Sequence, residues 1–212
     1  MNLKLSLLLC LLLFSLNATG QNDQEAVSIL DKFADKALKA PSVSMSFIMI
    51  TTNQADNLSD TLPGTVILNK DKYKLDLHDN IIWFNGETSW SYLPAEKEVT
   101  ITRADKKDDT FPSRPSRIFS LYKKGYKNRL IDEKTDSYII DLYPEDIKSD
   151  LMRIRLTIGK PLLNLISLEY KKTDGVIITL KVKVYDLKVN PDQDTFVFRP
   201  ENFKGVEIID MR

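Results

Sequence analysis

Cysteine is all but absent: Cys10 is the only one in 212 residues, and it falls inside an apolar leader. Without residues 1–20 the chain has no thiol, which excludes disulfides, a cysteine nucleophile and a thiolate metal site. Histidine is as scarce, with His78 alone in Leu77-His78-Asp79-Asn80. An imidazole next to an aspartate in sequence is not a triad, since a triad is a spatial arrangement; a turn after a strand is its expected place. The seven glycines make no phosphate-binding loop, and neither a Gly-x-Ser-x-Gly elbow nor a His-Glu-x-x-His pair occurs. From the residues we expect no enzyme chemistry, no cofactor and no metal. Charge of one sign is missing too: 30 basic residues balance 30 acidic ones. The basic excess of a nucleic-acid binder is therefore absent.

Only one long apolar run is present, and it comes first. Lys4 precedes Leu5–Leu16, and Asn17-Ala18-Thr19-Gly20 follows. Charged start, apolar middle and small-residue end are the order of a secretory signal. A span of a bilayer needs roughly 20 apolar residues, and this run is shorter. Cys10 is preceded by Leu7, Leu8 and Leu9 and lies mid-run, so it does not read as a lipid-attachment cysteine. Cleavage near Gly20–Gln21 is expected, with residues 21–212 forming one exported domain. That length suffices for a single core.

What is present is pattern. Ala26, Val27, Leu30, Phe33, Ala34, Ala37 and Leu38 recur at helical spacing after Asn22 or Asp23, either of which can cap, and Pro41 closes the run. Beyond it, period-two alternation dominates. It runs through Val43–Met49, Tyr73–Leu77, Asn80–Phe84, Thr88–Leu93 and Val99–Thr102, with Asn85-Gly86 as a hairpin signal between the third and fourth. Further strands are expected at 126–133, 137–143, 151–158, 162–171, 176–189, 195–198 and 206–210. Between the two groups, a charged loop at Asp105–Asp109 leads through Pro112 and Pro115 to a short amphipathic helix at Ser116–Lys124, closed by Gly125. Asp105, Asp108 and Asp109, like Asp192 and Asp194, lack the glycine and terminal glutamate of a calcium loop and read as solvated loops. Arg114, Arg117, Lys123, Lys124 and Lys127 form a basic cluster. It is either a solvated face or a patch for acidic head groups or an acidic partner.

In its ordered set of segments the chain resembles the LolA family of outer-membrane lipoprotein carriers. The hairpin Ile82-Trp83-Phe84-Asn85-Gly86-Glu87-Thr88-Ser89-Trp90-Ser91-Tyr92-Leu93-Pro94 is similar to that family's Trp-x-Tyr hairpin. Ser46-Phe47 and Gly64–Leu77 match the preceding elements. Pro115–Tyr126, Asp141–Asp146 and the ending Gly205–Arg212 are similar to Bacteroidetes-type members. The resemblance implies an incomplete antiparallel β-barrel of about eleven strands, mainly β, with a helical lid over its concave face. It implies a periplasmic chaperone that binds acyl chains of lipoproteins in an apolar cavity. Its partners would be acylated lipoproteins, an inner-membrane lipoprotein-releasing ABC transporter and an outer-membrane acceptor. A shuttle is expected to be a monomer. The alternative is a periplasmic binding protein or sensor for other lipids or glycolipids.

On this footing the expected cavity lining is Met45, Phe47, Met49, Tyr73, Leu75, Leu77, Trp90 and Tyr92. The expected lid is Leu30, Phe33, Ile118, Phe119 and Tyr122, with Arg117, Lys123 and Lys124 as the partner or head-group patch. Characterised members latch the lid with an arginine just before the strand matching Tyr73–Leu77. Here Asn69-Lys70-Asp71-Lys72 stands there, making Lys70 the candidate substitute, a point donor in place of a planar fork.

Overall fold

The structure is a computed structural model describing residues 23–103, 111 and 114–212. The leader and the Asp105–Asp109 loop lie outside the described residues. Helix α1 spans Gln24–Lys39, and Asp23 caps it by accepting from the backbone N–H groups of Glu25 and Ala26. Its buried stripe is Ala26, Ile29, Leu30, Phe33, Ala34 and Ala37, the i, i+3, i+4 set that turns one face inward. Lys36 and Lys39 occupy its last turn, where positive charge suits the helix dipole.

Twelve strands follow: β1 Val43–Asn53, β2 Leu58–Asn69, β3 Lys72–Asp76, β4 Ile81–Phe84, β5 Thr88–Leu93, β6 Glu98–Arg103, β7 Tyr126–Glu133, β8 Ser137–Pro144, β9 Leu151–Gly159, β10 Leu165–Lys172, β11 Val176–Asp186 and β12 Glu207–Asp210. They form one sheet in the order β12-β6-β5-β4-β3-β2-β1-β11-β10-β9-β8-β7. The two ends of that order do not pair, so the sheet is an incomplete barrel. Pairing is antiparallel throughout except for β12, which runs parallel to β6. The tight β4–β5 turn is built as its sequence dictates. Asn85 Oδ1 accepts from the N–H groups of Glu87 and Thr88 at 3.0 and 2.9 Å, while Gly86 takes φ 102°, a conformation open to glycine.

Three segments differ from the sequence reading. The stretch Leu58–Asn69 is a full strand, although its first half is exposed and polar and contains Pro63. Residues Gln193–Phe196 form a 3-10 turn in place of a strand at 195–198. The helix expected at Ser116–Lys124 is two short 3-10 turns, Pro115–Phe119 and Leu121–Lys123. His78 occupies an exposed turn with φ 70°, and its N–H donates to Asp76 Oδ1 at 2.9 Å.

The core is divided by the sheet. One cluster joins α1 and the 3-10 turns to the concave faces of β1–β3 and β8–β11. A smaller one, around Trp83, Val99 and Phe198, lies under the C-terminal segment.

Candidate functional site: the concave face and its cover

Alternation along each strand sends every second side chain to one face, and strand register aligns those side chains into rows. Met45 lies opposite Val66 on one side and Tyr185 on the other; Met49 lies opposite Leu62 and Leu180. Leu75 continues the first row opposite Val66 and Ile82, and Tyr73 lies opposite Leu68 and Phe84. The face continues through Leu168, Leu156 and Ile140. Met45, Phe47, Tyr73, Leu75 and Leu77 are all buried in the larger cluster, with Met49 partly buried against it. Phe47 stands over Gly64: a Cβ there would sit 2.6 Å from its ring. The absent side chain is the space the ring uses.

The cover comes from α1 and the 3-10 turns. Leu30, Phe33, Ile118, Phe119 and Tyr122 are buried in the same cluster as the face. Phe33 and Phe119 meet with ring centroids 5.3 Å apart. Phe111 reaches in from the preceding segment and meets Phe47 edge-on at 5.6 Å. A polar bond joins the two halves of the cover: the Tyr122 hydroxyl donates to Asp31 Oδ1 at 2.5 Å. Burial, and then that bond, push the Tyr122 phenol well above its ordinary range. Asp23 fastens α1 to the sheet. Its Oδ2 accepts from Leu130 N–H at 3.1 Å, and its own N–H donates to Asn128 O at 3.1 Å. At the other end, Lys36 Nζ donates to the Leu162 carbonyl.

Trp90 and Tyr92 are elsewhere. Trp90 lies opposite Trp83, and Tyr92 opposite Ile81 and Val99, so both sit on the convex face. There they pack in the second cluster, with Tyr92 and Phe203 ring centroids 4.8 Å apart. The concave positions of the same strand are Ser89, Ser91 and Leu93, so the face turns more polar there. Lys70 is exposed at the β2–β3 turn with φ 53°. The polar bond seen in the cover is Tyr122–Asp31, which sequence reasoning did not find: Asp31 lies outside the apolar stripe, the only feature the helical pattern registers. Phe111 was missed as well, being a lone aromatic in a proline-flanked stretch without periodicity.

Lys123 and Lys124 are exposed and Arg117 is half-buried; Lys123 Nζ lies 5.7 Å from the Tyr122 ring. In the same row of the face as Met45, Tyr185 carries a buried hydroxyl with no hydrogen-bond partner, and burial raises its pKa above the usual tyrosine range. Among the described residues no group of three His, Cys, Asp or Glu is placed to hold a metal ion, and no helix is long and apolar enough to cross a membrane. The arrangement sets the apolar face of the sheet against an apolar cover.

The sequence profile of the family described as outer membrane lipoprotein carrier protein LolA matches residues 16–163. No curated protein matches the chain. Among solved structures, an uncharacterised conserved protein from Thermus thermophilus is similar over 88% of this chain and 98% of its own, at 12% identity and a TM-score of 0.56. A domain named for outer-membrane lipoprotein sorting, from Vibrio parahaemolyticus, is similar over 82% and 96%, at 12% identity and TM-score 0.45. A LolA superfamily protein from Nitrosomonas europaea is similar over 82% and 97%, at 14% identity and TM-score 0.43. At such identities the Thermus likeness establishes the fold alone.

Proposed function

The chain belongs to the LolA family of outer membrane lipoprotein carriers, and from that premise we propose that it is itself a periplasmic lipoprotein chaperone. In this role it takes triacylated proteins from an inner-membrane ABC transporter, shields their acyl chains, and releases them at the outer membrane as a monomer. The leader read at residues 1–20 supports export. The observation that carries the proposal is the covered concave face: a continuous apolar surface on one side of an open sheet, packed against α1 and the 3-10 turns.

The energetics suit transfer. Each methylene withdrawn from water contributes about 0.8 kcal/mol, so a sixteen-carbon chain is worth about 12 kcal/mol against water. Against a bilayer the difference is near zero, because both sites are apolar. Phe33, Phe111, Ile118 and Phe119 hold the place that acyl chains would take, so loading swaps apolar contact for apolar contact. Met45 and Met49 can adjust to chains of irregular shape. The proposed lining is Met45, Phe47, Met49, Tyr73, Leu75 and Leu77, and the proposed lid is Leu30, Phe33, Ile118, Phe119 and Tyr122. Trp90 and Tyr92 then serve by holding the sheet's convex side together. Arg117, Lys123 and Lys124, beside the lid, are the proposed contact for a partner or for head groups.

Native mass spectrometry of protein purified from its own periplasm tests this. Acylated proteins bound one to one are expected. Small lipids or glycolipids alone would replace the carrier reading with that of a lipid-binding protein or sensor.

A further inference from the structure

The β8–β9 turn ends in a side chain for which the fold has no use. Ile147 is 97% exposed. The turn that carries it is well held: Lys148 N–H donates to Asp146 Oδ1 at 2.9 Å, Ser149 N–H to Asp146 O at 3.1 Å, and Leu151 N–H to Ser149 Oγ at 3.1 Å. An aspartate bonding its own backbone two residues on fixes a turn, and here it fixes Ile147 pointing outward.

Lysines lie on the turn and on the segments it adjoins. Glu145 N–H donates to the Gly125 carbonyl at 2.9 Å, which draws the turn alongside Lys123 and Lys124. Lys127 lies across from Tyr143 on the neighbouring strand, and Lys148 is on the turn itself. All four lysines are exposed, and Tyr143 is 39% exposed. Glu145 and Asp146 are the opposing carboxylates on the turn; Asp150, just beyond, is paired with Lys172 at 3.1 Å.

We propose that this tip is a docking point on an anionic lipid bilayer. Ile147 enters the boundary between head groups and acyl chains, Tyr143 rests at the interface, and Lys123, Lys124, Lys127 and Lys148 meet lipid phosphates. An exposed aliphatic side chain, with exposed lysines and a tyrosine on its own and adjoining segments, matches the layered chemistry of a membrane surface. A protein partner fits less well. A stable protein interface buries roughly 800 Å² per side, whereas one projecting isoleucine among lysines offers no broad apolar patch. Lys123 and Lys124 directly follow Tyr122 of the cover, so docking here brings the covered face to the membrane. That use rests on the carrier reading; the docking itself does not.

Flotation of the purified protein with phosphatidylcholine vesicles, with and without phosphatidylglycerol, tests it, alongside uptake of a fluorescent triacylated peptide. Binding to the anionic vesicles is expected, weakening with salt as exposed charges are screened. Ile147→Asp should reduce it about tenfold or more, and Lys127→Glu with Lys148→Glu by at least about as much, both leaving peptide uptake unchanged. Equal flotation with neutral and anionic vesicles, no flotation at all, or wild-type flotation of Ile147→Asp would overturn the docking inference. Absence of peptide uptake in the wild type would instead overturn the carrier reading.

Discussion

Tyr122 makes a polar connection inside an apolar cover, and its removal separates hydrogen bonding from packing. Tyr122→Phe keeps the ring and loses the bond to Asp31, which should lower stability by about 1 kcal/mol and speed exchange of a bound acyl probe, measured by stopped-flow fluorescence. Tyr185 should behave in the opposite way. Its hydroxyl is buried without a partner, so Tyr185→Phe should be neutral or stabilising by up to about 1 kcal/mol in urea unfolding. Both phenols have raised pKa values in the fold. The unfolded chain gives up these protons near pH 10 while the folded one keeps them, so stability is fully present below that pH and falls as pH rises above it. Tyr122→Phe should flatten this alkaline loss, as read by melting temperature between neutral pH and pH 11. At the opposite extreme of tolerance is Gly64. A methyl there would displace the Phe47 ring, and Gly64→Ala should cost about 1–3 kcal/mol by overpacking.

Elements show what pattern can and cannot convey. Helix α1 and most strands were legible because burial enforces periodicity: one face in, one face out. Alternation names two faces but not which is concave. At β5, Trp90 and Tyr92 alternate with Ser89 and Ser91, and they could not be assigned a side from sequence; only the register opposite Trp83 and Val99 places them. β2 was illegible for the reverse reason. Leu58–Pro63 is mostly exposed, so nothing enforces a period there, and pairing with β1 makes it a strand. The segment ending Thr195-Phe196-Val197-Phe198 alternates without being a strand, since Phe196 and Phe198 are both buried from a turn. Asp23 acts at this scale as well. It caps α1 and also takes the outward-facing Leu130 N–H of edge strand β7. Asp23→Ala should cost about 1–2 kcal/mol, and it frees an edge of the kind that recruits other chains. Self-association on sizing columns should rise with the loss of helicity.

The whole molecule has an interior on each side of a single sheet, and they are chemically independent. The concave one is covered by α1 and the 3-10 turns; the convex one is sealed by Phe198, Phe203 and Val206 against Trp83, Trp90 and Tyr92. Deleting residues 192–212 should expose both tryptophans to acrylamide quenching and remove β12, while acyl-peptide uptake persists in whatever fraction stays folded. That outcome would place ligand binding on one side only.

The middle of the sheet is sewn by β1, which pairs with β2 nearby and with β11 far along the chain; Met45 lies opposite Tyr185, 140 residues later. Closing a loop of that size costs about 4 kcal/mol in chain entropy before any contact repays it, and distant pairing slows folding. The central seam can form only after the chain is nearly all available. A polypeptide built this way stays unfolded through most of its synthesis, and it is therefore suited to being threaded across a membrane before it acquires a shape.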